Sequence, residues 1–144
     1  MARTTGVTWT TGVKPRWTAP IAEAVGVDIS GRHEEEEGYL MVAAAVHARI
    51  DSSRIRSVEG IGFASVREGP TLEATLELTA EAIGNLPTPP DCPIVAEAGE
   101  FYGEPAARVE LSFQPEFKYV ESIAERETVQ AAHHAAYAAR SLLL

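Results

Sequence analysis

The sequence lacks several features that would place it in a class at once. It has a single cysteine, Cys92, which excludes an internal disulfide and is typical of a reducing compartment. No apolar run approaches the roughly 18 residues of a membrane-spanning helix, and the longest, 39–46, ends at His47. The Thr-rich start has no apolar core of a signal peptide. These absences predict a cytoplasmic protein, or a part of a soluble assembly, without membrane contact.

Positive charge is also scarce. The chain has 12 Lys and Arg residues against 21 Asp and Glu residues, a net charge of −9 that makes nucleic acid an unlikely partner. Residues 1–19 contain Arg3, Lys14 and Arg16 but no acid, so the rest of the chain carries −12. We therefore expect an extended basic N-terminal arm over 1–19, which lies on an acidic surface of its own domain or of a neighbour. A frayed terminus is the alternative.

The arm contains both tryptophans of the chain. Trp9 and Trp17 follow two copies of the sequence Thr-Thr-Gly-Val, and the Gly and Pro content of the arm favours extended backbone. Two tryptophans expose too much apolar surface to remain in water without a contact. They either attach the arm to its own domain or bind a partner.

The remaining 125 residues, 20–144, are predicted to form a single α+β domain. Residues 18–25 suggest a short N-terminal helix that Gly26 ends, and 28–38 suggest a loop. Alternation of apolar and polar residues predicts strands over 40–50, 55–67, 72–82 and 107–113. The short turns between the first three favour antiparallel pairing. The predicted sheet is therefore mainly antiparallel, with four to five strands.

The chain ends in a predicted long helix over 119–144, which has neither Gly nor Pro. Its apolar tip, Leu142, Leu143 and Leu144, needs a partner. The first two strands are apolar on both faces, and one helix covers only one face. The second cover would be the arm, another subunit or the Pro-rich loop 84–105, in which 94–96 could form a short extra strand.

No motif predicts a catalytic, cofactor-binding or metal-binding residue, and no cofactor is expected. Cys92 has no His close to it in sequence, which favours an inert thiol. His133 and His134 are adjacent, so they point about 100° apart on a helix and do not form a metal-binding pair. His33 precedes the acidic run 34–37 and could hold a cation weakly, although a solvated loop is the simpler interpretation.

The absence of catalytic, cofactor-binding and metal-binding motifs favours a non-enzymatic structural or interaction subunit. Such a subunit would form a homo-oligomer or bind a partner protein. Small sheet-and-helix subunits of this kind occur in larger assemblies such as viral tails and necks. The predicted contacts are the arm, the sheet face and the helix tip: Trp9, Trp17, Leu142, Leu143 and Leu144. The alternative is a small-molecule-binding protein or enzyme with a pocket between the sheet and loop 84–105. That pocket would be lined by His47, Glu77, Tyr102 and Arg108.

Overall fold

Five strands form one mixed sheet with helices on both faces. The computed structural model describes residues 21–113 and 116–144. In chain order the elements are β1 (Ala22–Ser30), β2 (Met41–Ile50), β3 (Ile55–Val66), α1 (Leu72–Gly84), β4 (Ile94–Ala96), α2 (Ala106–Glu110), β5 (Phe117–Tyr119) and α3 (Ile123–Leu143). The α+β class, the five-stranded sheet and the C-terminal helix are therefore confirmed. None of these helices is long and apolar enough to cross a membrane.

The strand order is β3-β2-β1-β4-β5. β1, β2 and β3 pair antiparallel, whereas β4 pairs parallel to both β1 and β5. The prediction of a mainly antiparallel sheet is thus wrong. A helix and not a strand follows β3, and it carries the chain across to the free side of β1, where β4 enters in parallel.

That helix is α1, over residues predicted as the clearest strand. The hydroxyl of Thr71 caps it by accepting from the backbone N–H of Ala74 at 3.0 Å. Ala74, Leu78 and Ala82 are buried, four residues apart. Residues four positions apart lie on one face of a helix and also on one face of a strand, so this spacing is compatible with both the helical and the strand repeat. The Ala, Leu and Glu content of the segment favours the helix.

The predicted N-terminal helix is not seen, because Ala22–Ser30 forms the central strand β1. Gly26, interpreted above as a helix end, instead permits close packing of α3. A Cβ atom at Gly26 would lie 2.5 Å from the backbone carbonyl of Thr128. The segment 107–113 is also not a strand, because the helix α2 begins there, directly after Pro105. Val109 and Phe113 are buried, whereas Leu111 is 85% exposed. The possible strand at 94–96 is β4.

The C-terminal helix is α3, which begins after a capping box of Ser122 and Glu125. Its small residues Ala132 and Ala136 pack on Ala44 and Val46 of β2, while α1 packs on the opposite face of β1 and β2. For the first two predicted strands, which are β2 and β3, the second cover is therefore α1, which the sequence interpretation had assigned to the sheet. The predicted arm, 1–19, lies outside the described residues.

An aromatic cluster holds the chain beyond β4 against the α1 face. The rings of Phe101, Phe113 and Phe117 lie 5.8–5.9 Å apart, centroid to centroid, and all are buried. Such pairs add roughly 0.5–1.5 kcal/mol each beyond the area they bury. They fix the position of the preceding residue, Glu100.

Candidate functional site

Polar side chains gather where β1 and β4 end. The two strands are adjacent and parallel, so their carboxyl ends lie at the same edge of the sheet. From this edge the chain leaves β1 towards β2 on one side and leaves β4 towards β5 on the other. Open α/β sheets commonly bind ligands where strand connections diverge in this way. The edge is therefore an expected position for a functional site.

Two acidic side chains, Asp28 and Glu100, meet at this edge. Asp28 points to the α3 face, because its neighbours Val27 and Ile29 point into the core on the α1 face. The Asp28 and Glu100 side chains are only 12% and 9% exposed, and they are close enough for the negative charge of Asp28 to act on Glu100. A negative charge beside a buried carboxyl group disfavours its ionisation.

The guanidinium of Arg32 holds Glu100 in place. Its Nη2 donates to Oε2 of Glu100 at 2.7 Å and to the backbone oxygen of the same residue at 3.0 Å. Its Nη1 donates to the hydroxyl of Tyr102 at 3.0 Å, and that hydroxyl donates to the carbonyl of Pro70 at 2.9 Å. These bonds tie the chain after β1 to the chain after β4.

Tyr102 has a strained backbone. Its φ of 57° is left-handed, which no other non-glycine residue in the described part of the chain adopts. Strain of this kind costs roughly 1–3 kcal/mol and is concentrated at functional sites. Here it brings the phenol ring beside Arg32, whose guanidinium carbon lies 5.5 Å from the ring centroid.

Glu100 keeps its proton up to near-neutral pH. Burial, reinforced by the negative charge of Asp28, raises the pKa of Glu100 to about 7, while Arg32 acts in the opposite direction. A carboxyl group with that pKa is close to half ionised at physiological pH. It can therefore both donate and accept a proton.

His133 on α3 connects the acid pair to the surface. Its Nδ1 donates to Oδ2 of Asp28 at 2.8 Å, and its side chain is 55% exposed. Asp28 thus lies between the buried Glu100 and a solvent-accessible imidazole, so a proton has a path between them. We call these five residues, Asp28, Arg32, Glu100, Tyr102 and His133, the acid-pair site.

A second cluster lies at the opposite end of β1. Glu23 lies near the start of β1, His47 lies on β2, and Cys92 precedes β4. One carboxylate oxygen, one ring nitrogen and the sulfur lie within 4.8 Å of one another, and Nε2 of His47 donates to Oε1 of Glu23 at 2.7 Å. We call these three residues the thiol–imidazole cluster. Among the described residues, it is the group that could hold a metal ion.

Two cavities open beside Cys92. The larger, of about 730 Å³, lies between the end of α1 and the prolines of loop 84–105, and Phe113 forms part of its wall. The smaller, of about 340 Å³, is lined by Glu23 and Arg49 among others. Cys92 lines both cavities, so the thiol–imidazole cluster can be reached by a small molecule.

The thiol of Cys92 is neutral at physiological pH. Burial, together with the negative charges of Glu23 and Asp91, raises the pKa of Cys92 to about 11. A nucleophilic cysteine requires the opposite environment, with a cation or a helix N-terminus that stabilises the thiolate. The cluster therefore lacks the activation needed for cysteine-based covalent catalysis.

The four residues predicted to line a pocket have different surroundings. His47 belongs to the thiol–imidazole cluster, and Tyr102 belongs to the acid-pair site. Glu77 is exposed on α1, and Arg108 on α2 forms an exposed ion pair with Glu104 at 2.8 Å. Of the predicted contact residues, Leu142, Leu143 and Leu144 are exposed at the end of α3, and Trp9 and Trp17 lie outside the described residues.

Sequence reasoning missed both groups of residues because their members are far apart in the chain. Asp28 and His133 are separated by 105 positions, and no spacing along the sequence connects them. One signal was available. Asp28 is an acid inside an otherwise apolar run, and a charged residue within a buried strand is rarely there for packing alone. The signal was lost when 28–38 was interpreted as a loop.

Comparison with known proteins identifies the family of this chain. Residues 25–144 match the family described as "Uncharacterized protein conserved in archaea (DUF2209)", and the chain belongs to it. A relative in Methanocaldococcus jannaschii, named "Uncharacterized protein MJ0095", is 31% identical over 122 residues. The match covers 83% of this chain and 95% of the relative. Two strands end at the acid-pair site. Most of β1 and all of β4 lie within the residues that match the family.

Proposed function

We propose that this protein is an acid–base enzyme of the hydrolytic class, with Glu100 as the residue that exchanges the proton. The observation that carries the proposal is the convergence of two largely buried acids, Asp28 and Glu100, at one edge of the sheet, where burial and the charge of Asp28 raise the pKa of Glu100 to about 7. General acid–base groups work best when their pKa is close to the working pH. A purely structural ion pair with Arg32 would not need a second carboxyl group beside it.

Each residue of the acid-pair site has a role in this proposal. Glu100 activates a water molecule as a base and returns the proton to the leaving group as an acid. Asp28 raises the pKa of Glu100 and links it to His133, while Arg32 and Tyr102 hold Glu100 in position. The substrate is a small molecule that approaches from the exposed His133. Two of its residues, Glu100 and Tyr102, belong to loop 84–105.

Hydrolysis by the purified full-length protein tests the proposal. The probes are p-nitrophenyl esters, phosphates and glycosides, assayed from pH 5 to 9 with wild-type protein, Glu100→Gln and Glu104→Gln. We expect Glu100→Gln to lose at least 100-fold in kcat/KM, since a general acid–base group contributes roughly 10²–10⁴-fold. Glu104→Gln is the matched control, because Glu104 lies in the same loop but forms a surface ion pair. Turnover that survives in Glu100→Gln, or no turnover of any probe, contradicts the proposal.

Self-assembly is a second candidate, favoured by one exposed apolar surface. Val58, Ile61 and Phe63 of the edge strand β3 are 50%, 42% and 41% exposed, on the face that α3 covers only over β1 and β2. Contiguous apolar surface of this kind is typical of protein–protein contacts. We call these three residues the β3 patch. A second copy of the chain that covers the β3 patch would form the homo-oligomer expected from the sequence.

A further inference from the structure

We propose that the thiol–imidazole cluster is a zinc-type metal site, with Glu23, His47 and Cys92 as its three protein ligands. This site is independent of the acid-pair site, which lies at the other end of β1. It adds a metal-binding function to this protein whether or not the acid pair is catalytic.

The fold positions the three ligands on one face of the sheet. Glu23 and His47 lie on adjacent strands, offset by two residues and on the same face, because Glu23 pairs with Arg49 and Val25 pairs with His47. Cys92 lies on the other side of β1, two residues before Ile94, which also pairs with Val25. Two neighbouring strand positions and the residue two before β4 thus each place one ligand atom near the same point.

The spacing and the types of the ligand atoms fit a borderline transition metal. Zinc binds sulfur at about 2.3 Å and imidazole nitrogen or carboxylate oxygen at about 2.0–2.2 Å, so its ligand atoms lie roughly 3–4 Å from one another. The three atoms here lie within 4.8 Å of one another. An ion placed between them would replace the 2.7 Å hydrogen bond from His47 to Glu23. The Glu23 side chain, 50% exposed, is free to make this small adjustment.

The donor set selects against the common hard cations. Magnesium and calcium prefer sites made entirely of oxygen atoms, whereas a set of sulfur, nitrogen and oxygen favours zinc and chemically similar ions. The carboxylate of Asp91, next to Cys92, adds negative charge at this end of the sheet. The same charge that disfavours a free thiolate is compensated by a bound divalent cation.

The site has an open side. Structural zinc sites use four protein ligands, while sites that bind water or substrate use three and leave a coordination position free. The cluster supplies three ligands, and two of them, Glu23 and Cys92, form part of the wall of the 340 Å³ cavity. The free coordination position would therefore be accessible from a cavity large enough for a small molecule.

Cobalt binding to the metal-free, full-length protein tests the inference. Co²⁺ is used alone as the probe and is then displaced by Zn²⁺. We expect one Co²⁺ per chain and a near-ultraviolet cobalt–thiolate absorption band, which reports on Cys92 because the chain has no other cysteine. Cys92→Ser should lose the band. His47→Gln and Glu23→Gln should weaken binding at least tenfold, since even outer-shell changes often cost this much.

The control is His33→Gln, which removes an exposed histidine outside both sites and should bind Co²⁺ like the wild type. No thiolate band at one equivalent of Co²⁺ overturns the inference. Tight Co²⁺ binding by a folded Glu23→Gln variant also overturns the inference. This variant is the more decisive one, because a change at the buried His47 risks disturbing the fold. Glu100→Gln should retain the site fully, so failure of the proposed hydrolase and failure of this metal site give different results.

Discussion

At the scale of single residues, Glu100 is unusual because it is buried against a second acid. Among the described residues its cationic contact is Arg32, which also binds Tyr102 and the backbone oxygen of Glu100 itself. Burial and the negative charge of Asp28 outweigh the effect of Arg32, so the pKa of Glu100 is raised. His133, bonded to Asp28, gives a proton a path to solvent. The acid–base function proposed for this edge depends on the raised pKa of Glu100.

The same residue predicts how stability depends on pH. Because the pKa of Glu100 rises from 4.5 to about 7 on folding, the folded chain binds the proton more tightly than the unfolded chain. The free energy of unfolding should therefore fall as the pH rises from about 4.5 to about 7, by on the order of 3 kcal/mol from this residue. Urea unfolding at a series of pH values measures it. In Glu100→Gln this component should be absent, and an identical pH dependence in both proteins would disprove it.

At the scale of elements, α1 illustrates why a periodic pattern can mislead. Apolar residues at every second position of 72–82 include positions four apart, so alternation alone could not distinguish a strand from a helix. The capping hydroxyl of Thr71 and the high helix propensity of the segment were the deciding signals. The same confusion affected 107–113, where Val109 and Phe113 are buried one helical turn apart.

The edge strand β3 carries the prediction on assembly. If a second copy covers the β3 patch, the double variant Ile61→Lys, Phe63→Lys should be a monomer by light scattering at concentrations where the wild type is an oligomer. Leu111→Lys is the control, because Leu111 is 85% exposed outside the patch. A deletion of residues 1–17 should weaken assembly further if the arm bridges subunits. A wild-type protein that stays monomeric at high concentration would refute self-assembly.

At the scale of the whole molecule, sequence patterns predicted the parts that depend on local periodicity. β2, β3 and the C-terminal helix were predicted because turn signals bound the two strands and because the C-terminal segment has neither Gly nor Pro. The central strand β1 was missed because Pro20 suits the first turn of a helix and Gly26 a helix end, so 18–25 was interpreted as a helix. Because β1 was not predicted, its parallel pairing with β4 was not predicted either. The edge of the sheet where Asp28 and Glu100 meet therefore could not be recognised.

Both candidate sites depend on β1, which lies between β2 and β4. Glu23 near one end of β1 joins the thiol–imidazole cluster, and Asp28 near the other end joins the acid-pair site. Neither site is encoded by neighbouring residues, so only the sheet order reveals them. The two sites lie at opposite ends of β1, so each can be tested by variants that leave the residues of the other unchanged.

The titration of Glu100 determines directly whether its carboxyl group holds a proton near neutral pH. The carboxyl carbon of Glu100 can be followed by NMR in protein labelled with ¹³C-glutamate and assigned by its absence in Glu100→Gln. The account predicts a midpoint near pH 7 in the wild type. It also predicts a clearly lower midpoint in Asp28→Asn, because the neighbouring negative charge is removed. A wild-type midpoint near the ordinary value of 4.5, or a midpoint that Asp28→Asn leaves unchanged, would contradict it.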